Sequence, residues 1–287
     1  MEKIYQIAIN ASVQELDELI CLLNLYDIKY ETGILLFFEV CSKNKYAKEI
    51  LKLSSEKFNA NINVFNKYSP REIKGSKYLV LGVNTHSAYP QPESRNQDGQ
   101  NYIDFTYDTL NSCQFCGYGK IQCDSFYLKK NFIIKNAMKL TQLYWIYDTF
   151  FVSKTFKNIL EKEKFTGIEI VPSKYIQDRK KREDLFQIRI KDIFPLELKF
   201  ETRKTNTCNY CKHIKYVMKQ DSLLFHDQNI TFDGDFYLSQ EFFGDGFACF
   251  QLPIISQRLY TFLEQNKVKN MIVHPIFEIT CHQSWNQ

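Results

Sequence analysis

Cys113-Gln114-Phe115-Cys116-Gly117 and Cys208-Asn209-Tyr210-Cys211 decide how this chain is read. Each is a C-x-x-C knuckle, a tight turn that points two thiolates at one ion, and two such pairs make the four-sulfur set that tetrahedral structural Zn2+ takes. In a zinc ribbon about 15–20 residues separate the pairs. Here Cys116 and Cys208 stand a whole domain apart. One metal shared by Cys113, Cys116, Cys208 and Cys211 therefore clips a domain-sized loop. A redox C-x-x-C needs only one pair, at a helix start in a βαβ setting, so two pairs argue for ligation. Cys123, near the first knuckle, and His213, just past the second, are the fallback ligands. A closed four-cysteine site leaves no position for water, so the expected role is structural, with one Zn2+ per chain.

Composition narrows the class. Nine cysteines in 287 residues are too few and too odd in number for a disulfide scaffold, which favours a reducing cytosol. The net charge of +4 is small and its Lys/Arg are dispersed, so charge alone does not argue for nucleic acid. The start of the chain lacks a basic segment followed by an apolar core, and no apolar run approaches the roughly 18 residues that span a bilayer. A cytoplasmic protein with no membrane partner is expected.

Before the first knuckle, residues 4–9 read as a strand. Ser12 with Glu15 three positions on reads as a capping box. It opens a helix whose apolar stripe is Leu16, Leu19, Ile20, Leu22 and Leu23. Residues 28–31, a turn at Gly33 and 34–40 read as a hairpin, 45–58 as a second helix and 61–66 as a strand. That β-α-β-β-α-β order is the ferredoxin-like plan. Residues 78–83 add one more strand, and 84–101, with Pro90, Pro92 and Gly99, read as a linker. The expected fold is α+β: a ferredoxin-like domain over 1–83, the linker over 84–101, and a zinc-binding α+β domain over 102–287.

The second domain contains a repeat. Residues 152–172 align without gaps on 255–275, matching Ser153 to Ser256, Leu160-Glu161 to Leu263-Glu264, Lys164 to Lys267 and Pro172 to Pro275. Each copy reads as a serine-capped helix, a short turn and a strand ended by proline. With the knuckles at nearly the same spacing, the domain reads as two related half-units joined by the four-cysteine zinc site.

The sequence contains no G-x-S-x-G, H-E-x-x-H, Walker or G-x-G-x-x-G motif. His86, His226, His274 and His282 lie scattered without ligand spacing, and Asp233-Gly234-Asp235 lacks the rest of a calcium loop. No catalytic residues are assigned. Between residues 221 and 257 the charged residues are all acidic, Asp221, Asp227, Asp233, Asp235, Glu241 and Asp245, interleaved with Phe236, Phe242 and other aromatics. Such a segment reads as solubilising loops or as a docking face for a basic partner. Lys174, Arg179, Lys180, Lys181 and Arg182 form a basic run that reads as a solvated loop or a phosphate contact.

Taken in order, Cys113-x-x-Cys116-Gly117, a Val-Ser-capped helix and strand, a hydrophobic strand over 185–190, Cys208-x-x-Cys211, and Asp235-Phe236 leading to a second Ser-capped helix and proline-ended strand resemble the double-CxxCG motif proteins. The resemblance covers roughly residues 105–280. That family consists of bacterial cytoplasmic proteins linked to polymorphic-toxin and contact-dependent inhibition systems, where members serve as immunity proteins. Lys212 stands where the family has glycine, and residues 1–100 lie outside its usual core. The resemblance implies a binding protein, not an enzyme, that neutralises a cognate protein toxin by occlusion. On that implication Asp235, Phe236, Phe242 and Asp245 are the expected partner contacts, and an acidic face suits a nuclease toxin. The alternative is a zinc-containing nucleic-acid-binding protein that uses the basic run and exposed aromatics; the modest charge speaks against nucleic acid as the partner.

Overall fold

Strand β1 (Glu2–Asn10) carries Ile7 and Ile9 on one face, and both are buried. The computed structural model describes residues 1–10, 16–92, 101–200, 203–218, 221–227 and 232–279. β1 pairs antiparallel with β3 (Leu35–Cys41) and β4 (Asn61–Lys67), and β2 (Tyr30–Thr32) pairs with β3, giving the sheet order β2-β3-β1-β4. The register Ile7↔Phe38 and Ile9↔Leu36 puts these four side chains on the same face. Helices α1 (Leu16–Leu25) and α2 (Ala47–Glu56) close that face with Leu19, Leu23 and Ile50. The expected capping box at Ser12 and Glu15 lies outside the described residues. A short helix, α3, spans Pro70–Gly75. This first unit comprises 1–72 with 219–222. Asp221 belongs to it, pairing with the Lys3 ammonium at 2.9 Å and accepting at its carbonyl from Asn66 Nδ2 at 2.8 Å.

The domain boundary expected at residue 83 falls earlier, because β5 (Tyr78–Val83) belongs to the second unit, 73–218 with 223–287. Leu79, Leu81 and Val83 enter one core while Tyr78 and Val80 enter another. A strand apolar on both faces is stable only inside a sheet covered on both sides. The described part of the expected linker is likewise folded into this unit. Pro90, Gln91 and Pro92 are buried, the Ser87 N–H donates to Gln142 O at 2.9 Å, and Gln91 Nε2 donates to Tyr144 O at 2.9 Å. Residues 93–100 lie outside the described residues.

After β5 come α4 (Tyr102–Thr106), β6 (Tyr107–Asp108), β7 (Ile121–Gln122), β8 (Tyr127–Leu128), β9 (Thr141–Leu143), β10 (Ile146–Ser153), α5 (Lys154–Glu163), β11 (Ile168–Tyr175) and β12 (Lys181–Ile190). They are followed by β13 (Lys199–Phe200), β14 (Arg203–Thr207), β15 (Ile214–Met218), β16 (Leu224–Asp227), β17 (Phe236–Phe243), β18 (Phe250–Ser256), α6 (Gln257–Gln265) and β19 (Met271–Ile279). Two large sheets result, ordered β8-β11-β12-β10-β9 and β13-β16-β19-β5-β18-β17-β15-β14, with β6 and β7 forming a hairpin.

The two large sheets repeat one plan. β10 leads into α5 and β11 with β12 between the two strands; β18 leads into α6 and β19 with β5 between them. The outer neighbours correspond as well. β8 runs parallel to β11 as β16 does to β19, and β9 runs antiparallel to β10 as β17 does to β18. Within these five strands only the source of the central one differs, since β12 follows its helix and β5 precedes the rest of its sheet; β13, β14 and β15 extend the second sheet further.

The copies agree down to single dihedrals. Ser153 Oγ accepts from the Phe156 N–H and Ser256 Oγ from the Leu259 N–H, both at 3.1 Å. Each bond satisfies a helix donor that has no partner within its own helix. Lys164 caps α5 and Lys267 follows the α6 cap Asn266, both at φ 52°, and Gly167 and Asn270 both turn into the following strand with positive φ. Phe156 and Leu160 of α5 share one core with Leu259 and Leu263 of α6, together with β5, β10, β12 and Ile255. The two halves meet at that shared core, at the cysteine cluster and through bonds such as Thr166 N–H to Asp235 Oδ2 at 3.0 Å.

Candidate metal centre

Each knuckle lies at the tip of a hairpin, β6-β7 for the first and β14-β15 for the second. In the first, the Gly117 N–H donates to Cys113 O at 2.9 Å and the Cys113 N–H to Tyr118 O at 2.8 Å. In the second, the Lys212 N–H donates to Cys208 O at 3.0 Å and the Cys208 N–H to His213 O at 2.9 Å. The turn closes with positive φ after the second cysteine, 72° at Gly117 and 61° at Lys212. Lysine in place of glycine therefore leaves the turn intact, at a backbone cost of about 1–2 kcal/mol. Lys212 Nζ donates to Asn209 O at 2.8 Å across the same turn. At Gly117 no side chain fits, because a Cβ there would meet Phe247 O at 2.6 Å.

The knuckles face each other about a local two-fold, each cysteine meeting its counterpart 95 positions on. Cys113 and Cys208 Sγ are 3.8 Å apart, Cys116 and Cys211 Sγ 3.6 Å, and all four sulfurs lie within 4.8 Å of one another. A tetrahedron with metal–sulfur bonds of about 2.3 Å has edges of about 3.8 Å, so the four donors fit a metal ion of that size. The flanking rings obey the same two-fold. Phe115 stacks on Tyr210 with centroids 3.3 Å apart and planes 2° from parallel, and Tyr118 stacks on His213 at 3.4 Å and 14°.

The surroundings prepare two of the thiols and bury a third. Backbone N–H groups of Phe115 and Cys116 lower the Cys113 thiol, and those of Cys211 and Tyr210 bring Cys208 to about 6. Burial pushes Cys116 up to about 12; as a ligand it would give up that proton to a bound metal cation. A cation is held nearby: Lys215 is 3% exposed, and its ammonium donates to Cys116 O (3.1 Å), Gly246 O (2.6 Å) and Ala248 O (2.7 Å). These three bonds fix the first knuckle to the 244–249 loop. They also set a positive charge at the backbone of Cys116, one of the four cysteines of the cluster. A lone lysine in the apolar alternation of β15 marks this group only once the strand's inward face is known.

The other candidates are placed as follows. Cys123 points its thiol at Thr106 O (3.4 Å), away from the cluster, and the His213 ring is held between Tyr118 and the edge of Phe242. Neither is a ligand in this geometry. Of the four expected partner contacts, two are internal, which corrects the reading of a continuous acidic aromatic face. Asp235 is 1% exposed and bound by Arg258, Thr166 and Ser256, and Phe236 lies in the core at 2% exposure. Burial opposes the Asp235 carboxylate, but Arg258 and the Thr166 N–H outweigh it and hold the group below the ordinary carboxylate range. Phe242 packs edge-on to Tyr118, while Asp245 is exposed and accepts from Asn206 Nδ2 at 3.0 Å. In the basic run, Lys174 is paired with Asp124 at 2.6 Å. Arg182 is 2% exposed, bonded to Asp184, Lys129 O and Phe132 O. Both are structural cations.

No family model and no curated protein sequence matches this chain. Among the described residues, no helix is long and apolar enough to cross a membrane.

Proposed function

We propose that the chain is a cytoplasmic immunity protein: a zinc-stapled α+β scaffold that binds a cognate bacterial protein toxin and occludes it. The observation that carries this reading is the meeting of the two knuckles, with four sulfurs within 4.8 Å and the same turn at Gly117 and Lys212. These knuckles are the features through which the sequence resembles the double-CxxCG motif proteins, and the Lys212 departure does not disturb them. Zn2+ is the ion we assign, because four soft thiolates in a closed tetrahedral set suit it and leave no site for a reacting water. When bound, the ion supplies cross-linking between the halves. Cys113, Cys116, Cys208 and Cys211 hold it, and Lys215 fixes the backbone of Cys116. We assign the first unit to the ferredoxin-like class on its β2-β3-β1-β4 antiparallel order and βαββαβ connectivity.

The nucleic-acid alternative loses Lys174 and Arg182 to internal pairing, so no observation favours it over a protein partner. The test is co-expression with the C-terminal domain of a toxin encoded beside this chain. The expected result is rescue of growth and co-purification of a zinc-containing complex. Growth arrest despite full expression of both proteins refutes the reading.

A further inference from the structure

The turn between β9 and β10 consists of Tyr144 and Trp145, and Trp145 takes it at φ 69°. Hairpin turns give such left-handed positions to glycine or asparagine, and a bulky residue there is an outlier that points toward function. Packing does not explain the choice, since Trp145 is 55% exposed. The backbone of the turn is nevertheless fixed. The Tyr144 N–H donates to Ser87 O at 3.2 Å, Tyr144 O accepts from Gln91 Nε2, and Trp145 O accepts from the Tyr102 hydroxyl at 3.4 Å. Two more rings gather beside it. Tyr89 stacks on Tyr144 with centroids 5.3 Å apart and planes 28° from parallel, and His86 lies against Tyr144 at 5.7 Å and 30°. Tyr89 and Tyr144 are both exposed.

The charge beside these rings has one sign. From Ser125 to Tyr147 the sequence carries Lys129, Lys130, Lys135 and Lys139 and no carboxylate, and residues 84–92 carry none either. Asp184 reaches this region through Arg182, with which it pairs at 2.7 Å while Arg182 holds Lys129 O and Phe132 O. Lys129 is placed by two bonds, its N–H donating to Pro90 O at 2.8 Å and its ammonium to Tyr89 O at 3.1 Å. That ammonium is exposed and keeps two further N–H groups for an anion. An acidic protein surface would use the lysines without needing near-parallel rings, and a neutral sugar would use the rings without needing lysines. A base joined to a phosphate uses both, because every base has a π-face and every phosphate a negative charge.

We propose that this surface binds a nucleotide: a base stacks on Tyr89, its phosphate meets the Lys129 ammonium, and Trp145 flanks the base from the fixed turn. The nucleotide is either free or part of a single strand, and the two sources are told apart below. The surface is separate from the metal centre and uses neither Lys174 nor Arg182. It goes beyond the toxin-binding reading and does not depend on it.

The test takes the ligand apart. The full chain is titrated by calorimetry with adenosine monophosphate, with adenosine, with ribose 5-phosphate and with a short single-stranded oligodeoxyadenylate. Trp145 fluorescence is followed in parallel in a Trp285→Phe background. Adenosine monophosphate binds saturably and quenches Trp145, while adenosine and ribose 5-phosphate, each lacking one half of the recognised chemistry, bind at least about five-fold more weakly. Tyr89→Leu and Lys129→Gln, both at exposed positions, each weaken adenosine monophosphate by about five- to ten-fold. Lys162→Gln, on the exposed side of α5, changes nothing. Trp145→Gly accepts the left-handed backbone, so it keeps the unfolding midpoint while weakening the nucleotide. An oligonucleotide that binds about ten-fold or more tighter than the mononucleotide assigns the site to a strand; equal affinities assign it to free nucleotide. Absence of saturable binding by both, equal binding of adenosine and its monophosphate, or unchanged affinity in Tyr89→Leu and Lys129→Gln overturns the proposal.

Discussion

Replacing Gly117 by alanine tests the knuckle geometry most directly. Two costs add at this position. At φ 72° the backbone is left-handed, where a Cβ costs about 1–2 kcal/mol. The new Cβ also meets Phe247 O at 2.6 Å, and overpacking against an unyielding neighbour costs about 1–3 kcal/mol. The carbonyl cannot easily retreat, because Lys215 holds the same loop at Gly246 O and Ala248 O. The expected loss is therefore roughly 2–5 kcal/mol for the second unit. The mirror experiment is Lys212→Gly at the equivalent position of the other knuckle. There the left-handed strain is removed, while glycine's extra freedom in the unfolded chain returns about 0.5–1 kcal/mol. Loss of the exposed Lys212 Nζ bond to Asn209 O takes back about 0.5 kcal/mol more, so a net gain of a few tenths up to about 1 kcal/mol is expected. Urea unfolding of the zinc-loaded chains, with metal content measured in each, reads both effects. Opposite signs at two positions related by the local two-fold are the required outcome. A neutral Gly117→Ala, or a destabilising Lys212→Gly, refutes the account of the turns.

The metal assignment predicts one zinc per chain by mass spectrometry, and Cys208→Ser should lose it with a lower unfolding midpoint for the second unit. Lys215→Met leaves three carbonyls without their donor and should cost about 1–3 kcal/mol while leaving zinc stoichiometry at one, read by thermal unfolding and metal analysis. Asp235→Asn should destabilise by roughly 1–3 kcal/mol, discounted because Arg258 is largely solvated. Because the folded Asp235 pKa is depressed, its contribution is present above the ordinary carboxylate value and lost as pH falls through about 4 toward the folded value. The acid limb of the stability curve should therefore be shallower in Asp235→Asn than in the parent, and identical limbs would rule out this ion pair. Asp235→Lys should unfold the domain before it can report on any partner, whereas Asp245→Lys should leave the fold unchanged by circular dichroism.

The four-cysteine cluster was legible because its chemistry is local: two C-x-x-C turns announce candidate ligands whatever lies between them. The repeat was legible for a similar reason. Ser153 and Ser256 cap helices in the same way, and the Lys164 and Lys267 turns follow at the same distance. What escaped was pairing between distant segments. Nothing in Tyr78–Val83 says whether its neighbours are upstream or downstream, and its flanking strands, β18 and β19, come at the far end of the chain. The proline-rich stretch after it imitates a linker, although Pro90 and Pro92 are buried in the second unit. The acidic segment misled for the opposite reason. Its period-two alternation buries Asp235 and Glu241 along with the aromatics, and a charge count ignores which face a strand presents. Arg258, the partner that makes a buried Asp235 tolerable, sits on another element and leaves no local trace.

The position of β5 has a consequence for how the protein is made. It is synthesised well before its partners on both sides; Asn84, just past its end, bonds to Met271, 187 positions on. Until then a wholly apolar strand has no neighbour on either edge, which is the circumstance that favours aggregation and recruits holding chaperones. The first knuckle waits too, as an open half-site of two thiolates, until the ribosome delivers the second. Completion of the second sheet thus waits for β18 and β19, and a chain stalled before β18 leaves both edges of β5 and the first knuckle without their partners.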